Sequence, residues 1–124
     1  MSPRTLMISA AVAAGLTAGA TAAEATGPVA GAAKSCGFSR SLGATYVTRI
    51  SAKRVSCAKA KDVIRAFNAC RKDHGGADGR CPSKVAGGFR CNEGKRLRGP
   101  ISIDADVSCR KGAKRVKFHY QQDT

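Results

Sequence analysis

The sequence has no tryptophan, and only four phenylalanines and two tyrosines among 124 residues. Stacking of bases or sugar rings on exposed aromatic side chains has little to draw on here. Acidic residues are scarce too, 8 against 22 lysines and arginines. There is no GxGxxG or GxxxxGK[ST] loop, which argues against nucleotide-cofactor chemistry. No CxxC occurs, and no cysteine–histidine group has zinc spacing. No metal and no cofactor are expected. Ser39 and Ser41 in GFSRS do not form the G-x-S-x-G elbow of a hydrolase nucleophile.

What is present begins with a secretory signature. MSPRTLMISAAVAAGLTAGATAAEA, residues 1–25, carries Arg4, then an Ala-rich apolar stretch, then small residues suited to cleavage. The stretch is too rich in alanine and glycine to span a membrane strongly. No transmembrane segment is expected after its removal, and the chain is expected to be secreted or associated with the cell envelope. Removing it takes away one cation (Arg4) and one anion (Glu24), so the formal net charge stays at +14. Such a charge points to contact with polyanions: nucleic acid, an acidic wall polymer, an anionic surface or an acidic protein.

TGPVAGAAKS, residues 26–35, reads as a flexible linker, leaving 36–124 as one domain. Large apolar residues are few there, so the core needs staples. Six cysteines behind a signal supply three disulfides in an oxidising compartment.

SCAKAKDVIRAFNAC, residues 56–70, is the clearest helix. Ala60, Val63, Ile64 and Phe67 fall on one stripe. Lys61, Asp62, Arg65 and Asn68 are read as the polar side. Ser56 is an N-cap, and Arg71 and Lys72 are cations suited to the C-terminal end. Cys57 and Cys70 stand about 20 Å apart along such a helix, at about 1.5 Å per residue. A disulfide needs Cα atoms within about 7 Å, so each must reach a different partner.

Strands are expected at 46–52, 85–91, 101–109 and 115–120. In the third, Ile101, Ile103, Ala105, Val107 and Cys109 alternate with Ser102, Asp104, Asp106 and Ser108; in the fourth, Val116, Phe118 and Tyr120 alternate with Lys117 and His119. The expected fold is α+β: a single β-α-β-β-β domain, one helix packed on a small mixed sheet, with three disulfides. If the strands flanking the helix run the same way, Cys57 meets Cys91, Cys70 meets Cys81 and Cys36 meets Cys109.

The pieces ISAKRVSCAKAKDVIRAF, GFRC and VSCRKGAKRVKF resemble a recurring pattern in small secreted, disulfide-stabilised actinobacterial proteins of unassigned function. The resemblance covers about Ile50 to Tyr120 and rests mainly on Cys57, Cys91, Cys109, Gly88-Phe89 and the final strand. It implies a shared disulfide-stabilised fold and transfers no site; Cys70 and Cys81 look like an added pair.

Two histidines, His74 and His119, are the minimum for a two-histidine nuclease. His74 lies in a Gly-rich loop and His119 on an outward strand face, and a tight turn at 111–113 would set Asp104 or Asp106 opposite His119. A surface histidine beside a carboxylate is the plainer reading. Asp104 and Asp106 share a strand face at about 7 Å, where charge compensation is the plainer reading. The basic runs carry the most signal: Lys95, Arg96 and Arg98, then Arg110, Lys111, Lys114, Arg115 and Lys117. The sequence therefore favours a non-enzymatic, monomeric binding domain for anionic polymers or surfaces. The alternatives are an inhibitor or toxin-like partner of another secreted protein, using the loop 71–84, and a secreted nuclease.

Overall fold

The computed structural model describes residues 31–82 and 86–124. The expected signal segment, residues 26–30 of the expected linker, and Val85 lie outside the described residues. Seven elements follow in order: β1 (Lys34–Ser39), β2 (Tyr46–Lys53), α1 (Cys57–Asp73), β3 (Arg90–Glu93), β4 (Leu97–Arg98), β5 (Ser102–Lys111) and β6 (Lys114–Asp123). The strands form one six-stranded sheet in the order β1-β2-β6-β5-β3, with β4 also paired to β5. One helix packs on one face of this sheet, and three disulfides close the domain, so the α+β class is as expected.

The strand alternation survives in detail. Ile103, Ala105, Val107 and Cys109 of β5 and Val116, Phe118 and Tyr120 of β6 are buried. They meet the helix stripe Ala60, Val63, Ile64 and Phe67, with the Phe67 ring 5.6 Å from Phe118 in an edge-on contact. Gly112 is the first of the two residues between Lys111 and Lys114. Its φ of 56° is one that a glycine adopts without strain. That turn fixes the register Asp106↔His119 and Ser108↔Lys117. Ile101, expected to point inward, precedes β5 and is exposed, as are Leu97 and Phe38.

Strand directions differ from the expectation. Every pairing is antiparallel, so β2 and β3, on either side of the helix in sequence, run in opposite senses. The second strand also starts later than expected, at Arg90, after a short 3-10 turn at 86–88. β1 was not expected at all: Lys34 and Ser35, assigned to the linker, begin an edge strand whose register slips twice beside β2.

These two differences correct the cysteine pairing. β1 runs back along β2, so its start lies beside Ser51 and Ala52 near the helix entry, and Cys36 bonds Cys57. β3 lies directly against β5, where Cys91 is the register partner of Cys109 and bonds it. Cys70 bonds Cys81, as the topology argument expected. Helix α1 is thus pinned at both ends, at the first end by β1 rather than β3. Closures of 21, 11 and 18 residues are each worth about 3 kcal/mol in the loop-entropy estimate.

The helix also buries more than its apolar stripe. Ser56 caps it as expected, its Oγ accepting from the Lys59 N–H at 3.1 Å. Asn68, read as a polar-face residue, is fully buried, because position 68 continues the row 60, 64. Its Nδ2 donates to the Leu42 carbonyl at 2.7 Å. Arg71, read as a cation suited to the C-terminal end of the helix, is also fully buried, with its guanidinium 4.4 Å over the Tyr120 ring.

Candidate functional site

The sheet face away from α1 is open and polar. Outward positions are Ser51 and Lys53 on β2, Arg115, Lys117 and His119 on β6, Asp104, Asp106, Ser108 and Arg110 on β5, and Arg90 and Asn92 on β3. The ladder register sorts them into rows across the strands. Lys53 is opposite Arg115, Arg115 is opposite Arg110, and Arg110 is opposite Arg90. Four adjacent strands therefore each contribute a cation to one row, about 14 Å long at about 4.8 Å per strand. Lys111 and Lys114 flank its middle at the hairpin end.

Like charges directly opposite one another destabilise a sheet. Among the described residues no carboxylate forms an ion pair with any of the four. Arg115 turns its guanidinium toward the Gly112 and Lys114 carbonyls, the latter at 2.9 Å. Two hollows meet at Arg115. One of about 350 Å³ is lined by Arg90, Arg110 and Lys111, the other of about 480 Å³ by Ser51, Lys53 and Lys117.

The next row along the strands is Ser51, Lys117, Ser108 and Asn92. It lines a groove of about 550 Å³. Arg49, Asp106 and His119 sit beyond it. Arg49 is the extra residue of a bulge in β2, with a φ of 51° that costs a non-glycine residue about 1 kcal/mol or more. The bulge turns its side chain outward, and Nη2 donates to Asp106 Oδ1 at 3.0 Å. His119 Nδ1 meets the same oxygen at 3.0 Å, while Asp104 Oδ1 is 3.8 Å from Nε2. The histidine expected beside a carboxylate thus has one on each side. His74 is not brought to it, because it caps α1 on the other layer with Nδ1 on the Cys70 carbonyl. Among the described residues no group of three or more histidine, cysteine or carboxylate side chains is arranged to hold a metal ion.

The eight basic residues singled out from sequence separate into two groups. Arg110, Arg115, Lys117, Lys111 and Lys114 belong to the open face or its hairpin end. Lys95, Arg96 and Arg98 lie beside the other half of β5. Lys95 is exposed. Arg98 is paired with Asp78 at 3.1 Å. Arg96 is not a surface cation: its guanidinium is buried against Glu93 and donates to the Asp78 carbonyl at 2.6 Å and to the Gly79 carbonyl. Glu93, which had no partner discernible in sequence, serves this buried charge and also faces Arg80 at 3.5 Å. The members that sequence reasoning missed are Lys53 and Arg90. Neither belongs to a basic run of its own on this face, and only the register brings them into line.

Arg71 and Arg96 spend their charge inside the protein. Arg71 donates to Asn68 Oδ1, the Ala77 carbonyl and Gln122 Oε1. Burial lowers the Arg71 pKa from its ordinary value, partly offset by Tyr120. Burial also works against the Arg96 charge, but its hydrogen bond with Glu93 leads the effects that hold its pKa above the ordinary value. These two arginines tie the loop 74–81 to the core and leave the open face to the other cations.

No protein-family model, curated protein or solved structure matches this chain. Among the described residues no helix is long and apolar enough to cross a membrane.

Proposed function

We propose that this protein is an exported, non-enzymatic domain that binds anionic polymers or surfaces at the cell envelope, and that it binds them on the open sheet face. The observation that carries the reading is the row Lys53–Arg115–Arg110–Arg90. Its internal repulsion has no compensating carboxylate among the described residues, so an arriving polyanion removes a cost already present in the free protein. Three disulfides fit an oxidising compartment. The net charge of +14 supports electrostatic steering of such a ligand.

Titration of the oxidised protein with fluorescent RNA across a salt series, followed by running the RNA on a gel, tests the reading. Binding should weaken steeply with salt, and Arg110→Glu should lower the slope by about one unit or more. RNA cleavage that disappears in His119→Ala would instead make the protein a nuclease. A second reading, a docking loop for another secreted protein, draws support from the loop after α1. It is closed by Cys70–Cys81, and its carbonyls at Ala77, Asp78 and Gly79 are held by Arg71 and Arg96. Absence of binding to any polyanion would favour that alternative.

A further inference from the structure

We infer that the ligand is an anionic polymer with hydroxyl groups between its charges, a polyol phosphate or an acidic polysaccharide, and that Ser51, Ser108 and Asn92 read those hydroxyls. The inference rests on the reading just given and narrows it to a ligand class.

The open face is graded along the strand direction. At the hairpin end is the row of four cations. Two residues along each strand, about 7 Å away, comes the row Ser51, Lys117, Ser108 and Asn92, three neutral hydrogen-bonding side chains around one ammonium. Beyond it Asp106, held by Arg49, closes the groove with a carboxylate. A ligand made only of charge would match the first row and Lys117, but it could use the serines and Asn92 only as donors and would leave their acceptor oxygens unmatched. Its anionic groups would also be repelled at the Asp106 end. A ligand whose phosphates or carboxylates alternate with hydroxyl-bearing units satisfies the whole gradient. The anions lie on Lys53, Arg115, Arg110 and Arg90, and the hydroxyls lie over the serines and Asn92, with Asp106 as a further acceptor.

The neutral row is also unoccupied by internal duties. The side chains of Ser51, Ser108 and Asn92 make no hydrogen bond to another described residue, whereas Ser56, Asn68 and Thr45 elsewhere in the domain do. RNA shares the alternation of phosphate with a sugar hydroxyl, and it fits less well only because of its bases. Unpaired bases need exposed rings to stack on. Phe118 borders the groove, but its ring is buried against Phe67.

The test uses the whole oxidised protein and four probes at one ionic strength: linear inorganic polyphosphate, poly(glycerol phosphate), polygalacturonate and single-stranded RNA. The variants are the double substitution Ser108→Ala/Asn92→Ala and the single Arg110→Glu, each checked for native circular dichroism. The double variant should bind poly(glycerol phosphate) or polygalacturonate about tenfold more weakly, the loss of two modest hydrogen bonds. Its affinity for polyphosphate should fall clearly less, by about threefold or under, because that ligand uses only the donors of these side chains. Which of the two hydroxylated probes responds tells a polyol phosphate from an acidic sugar. Equal loss for polyphosphate, no loss for either hydroxylated probe, or tightest binding to RNA would overturn the hydroxyl reading. Arg110→Glu without effect on any probe would overturn the polyanion reading beneath it, so the two failures are distinguishable.

Discussion

Arg110 stands directly opposite Arg115 in the β5–β6 ladder, and no carboxylate among the described residues pairs with either. The same Arg110 faces Arg90 on its other side. Removing the central charge should therefore stabilise the free protein while weakening its ligand binding. Arg110→Ser is expected to raise thermal stability at low ionic strength by a few tenths of a kcal/mol. The gain should vanish by about 1 M salt, where the screening length falls to about 3 Å. Melting curves of both proteins across a salt series check this. A variant that is less stable at low salt would show that the row is not repulsive.

Arg71 should behave as a core residue despite its charge. Its guanidinium satisfies Asn68 and the Ala77 carbonyl and covers the Tyr120 ring. Arg71→Ala leaves those partners buried and unpaired and opens a void beside the ring. A loss of about 3 kcal/mol is expected, read from urea unfolding. Arg65→Ala, on the exposed side of the same helix with only an Asp62 ion pair at 2.8 Å, should cost less than about 1 kcal/mol.

Gly79 should tolerate no side chain. Its φ of −63° is ordinary, so backbone conformation is not the reason. A Cβ there would sit 1.8 Å from the Arg71 carbonyl oxygen, which belongs to the helix backbone and cannot yield. Gly79→Ala must push the loop away from α1 and so strip Arg96 of its Gly79 acceptor. About 3 kcal/mol or more should be lost, visible as a lower urea midpoint. Gly99→Ala is the comparison for steric room, since its φ is not in the positive region and the added carbon meets nothing closer than 3.5 Å.

The helix and the two long strands were legible because each has a strong period, whereas their register was left between Asp104 and Asp106 opposite His119 until the two-residue turn settled it on Asp106. Positions 60, 63, 64 and 67 and the alternation through 103–109 and 116–120 leave few options. The same period, carried on, would have placed Asn68 and Arg71 on the buried face. Polarity argued against it, and only the Leu42, Ala77 and Gln122 partners make their burial affordable. β1 was not legible because KSCGFS has no alternation and is interrupted by Gly37. Missing it, and giving β3 the wrong direction, exchanged the partners of four cysteines. Of the candidate site, the basic run 110–117 was visible as sequence. Lys53 and Arg90 were not, because cross-strand neighbours are distant in the chain, and Arg96 looked no different from a surface cation.

The corrected pairing has a direct chemical check. Digestion of the oxidised protein without reduction should yield peptides joined through Cys36–Cys57, Cys70–Cys81 and Cys91–Cys109. A peptide joining Cys57 to Cys91, the partner expected for parallel flanking strands, would overturn both the pairing and the direction of β3.

Tyr120 should set an alkaline limit on stability. Burial is the main cause that raises its pKa above the ordinary 10.0, and the neighbouring Arg71 charge opposes it only in part. A phenol whose pKa is higher in the folded state keeps its proton there while the unfolded chain gives it up. The native state then binds more protons than the unfolded one, so stability falls as pH rises. The stabilisation is complete below pH 10.0 and is lost progressively from there up through the raised folded-state value. Lysines titrate in the same region, so the comparison must be with Tyr120→Phe, which keeps the ring under Arg71 and the contact with Phe67. The hydroxyl is buried without a hydrogen-bond partner among the described residues, so at pH 7 the variant should be within about 1 kcal/mol of the parent or above it. Urea unfolding from pH 8 to 11 should show the parent losing stability relative to the variant only above pH 10. Parallel curves through that range would mean that Tyr120 ionises as easily folded as unfolded, and that the ring is not sealed beneath Arg71.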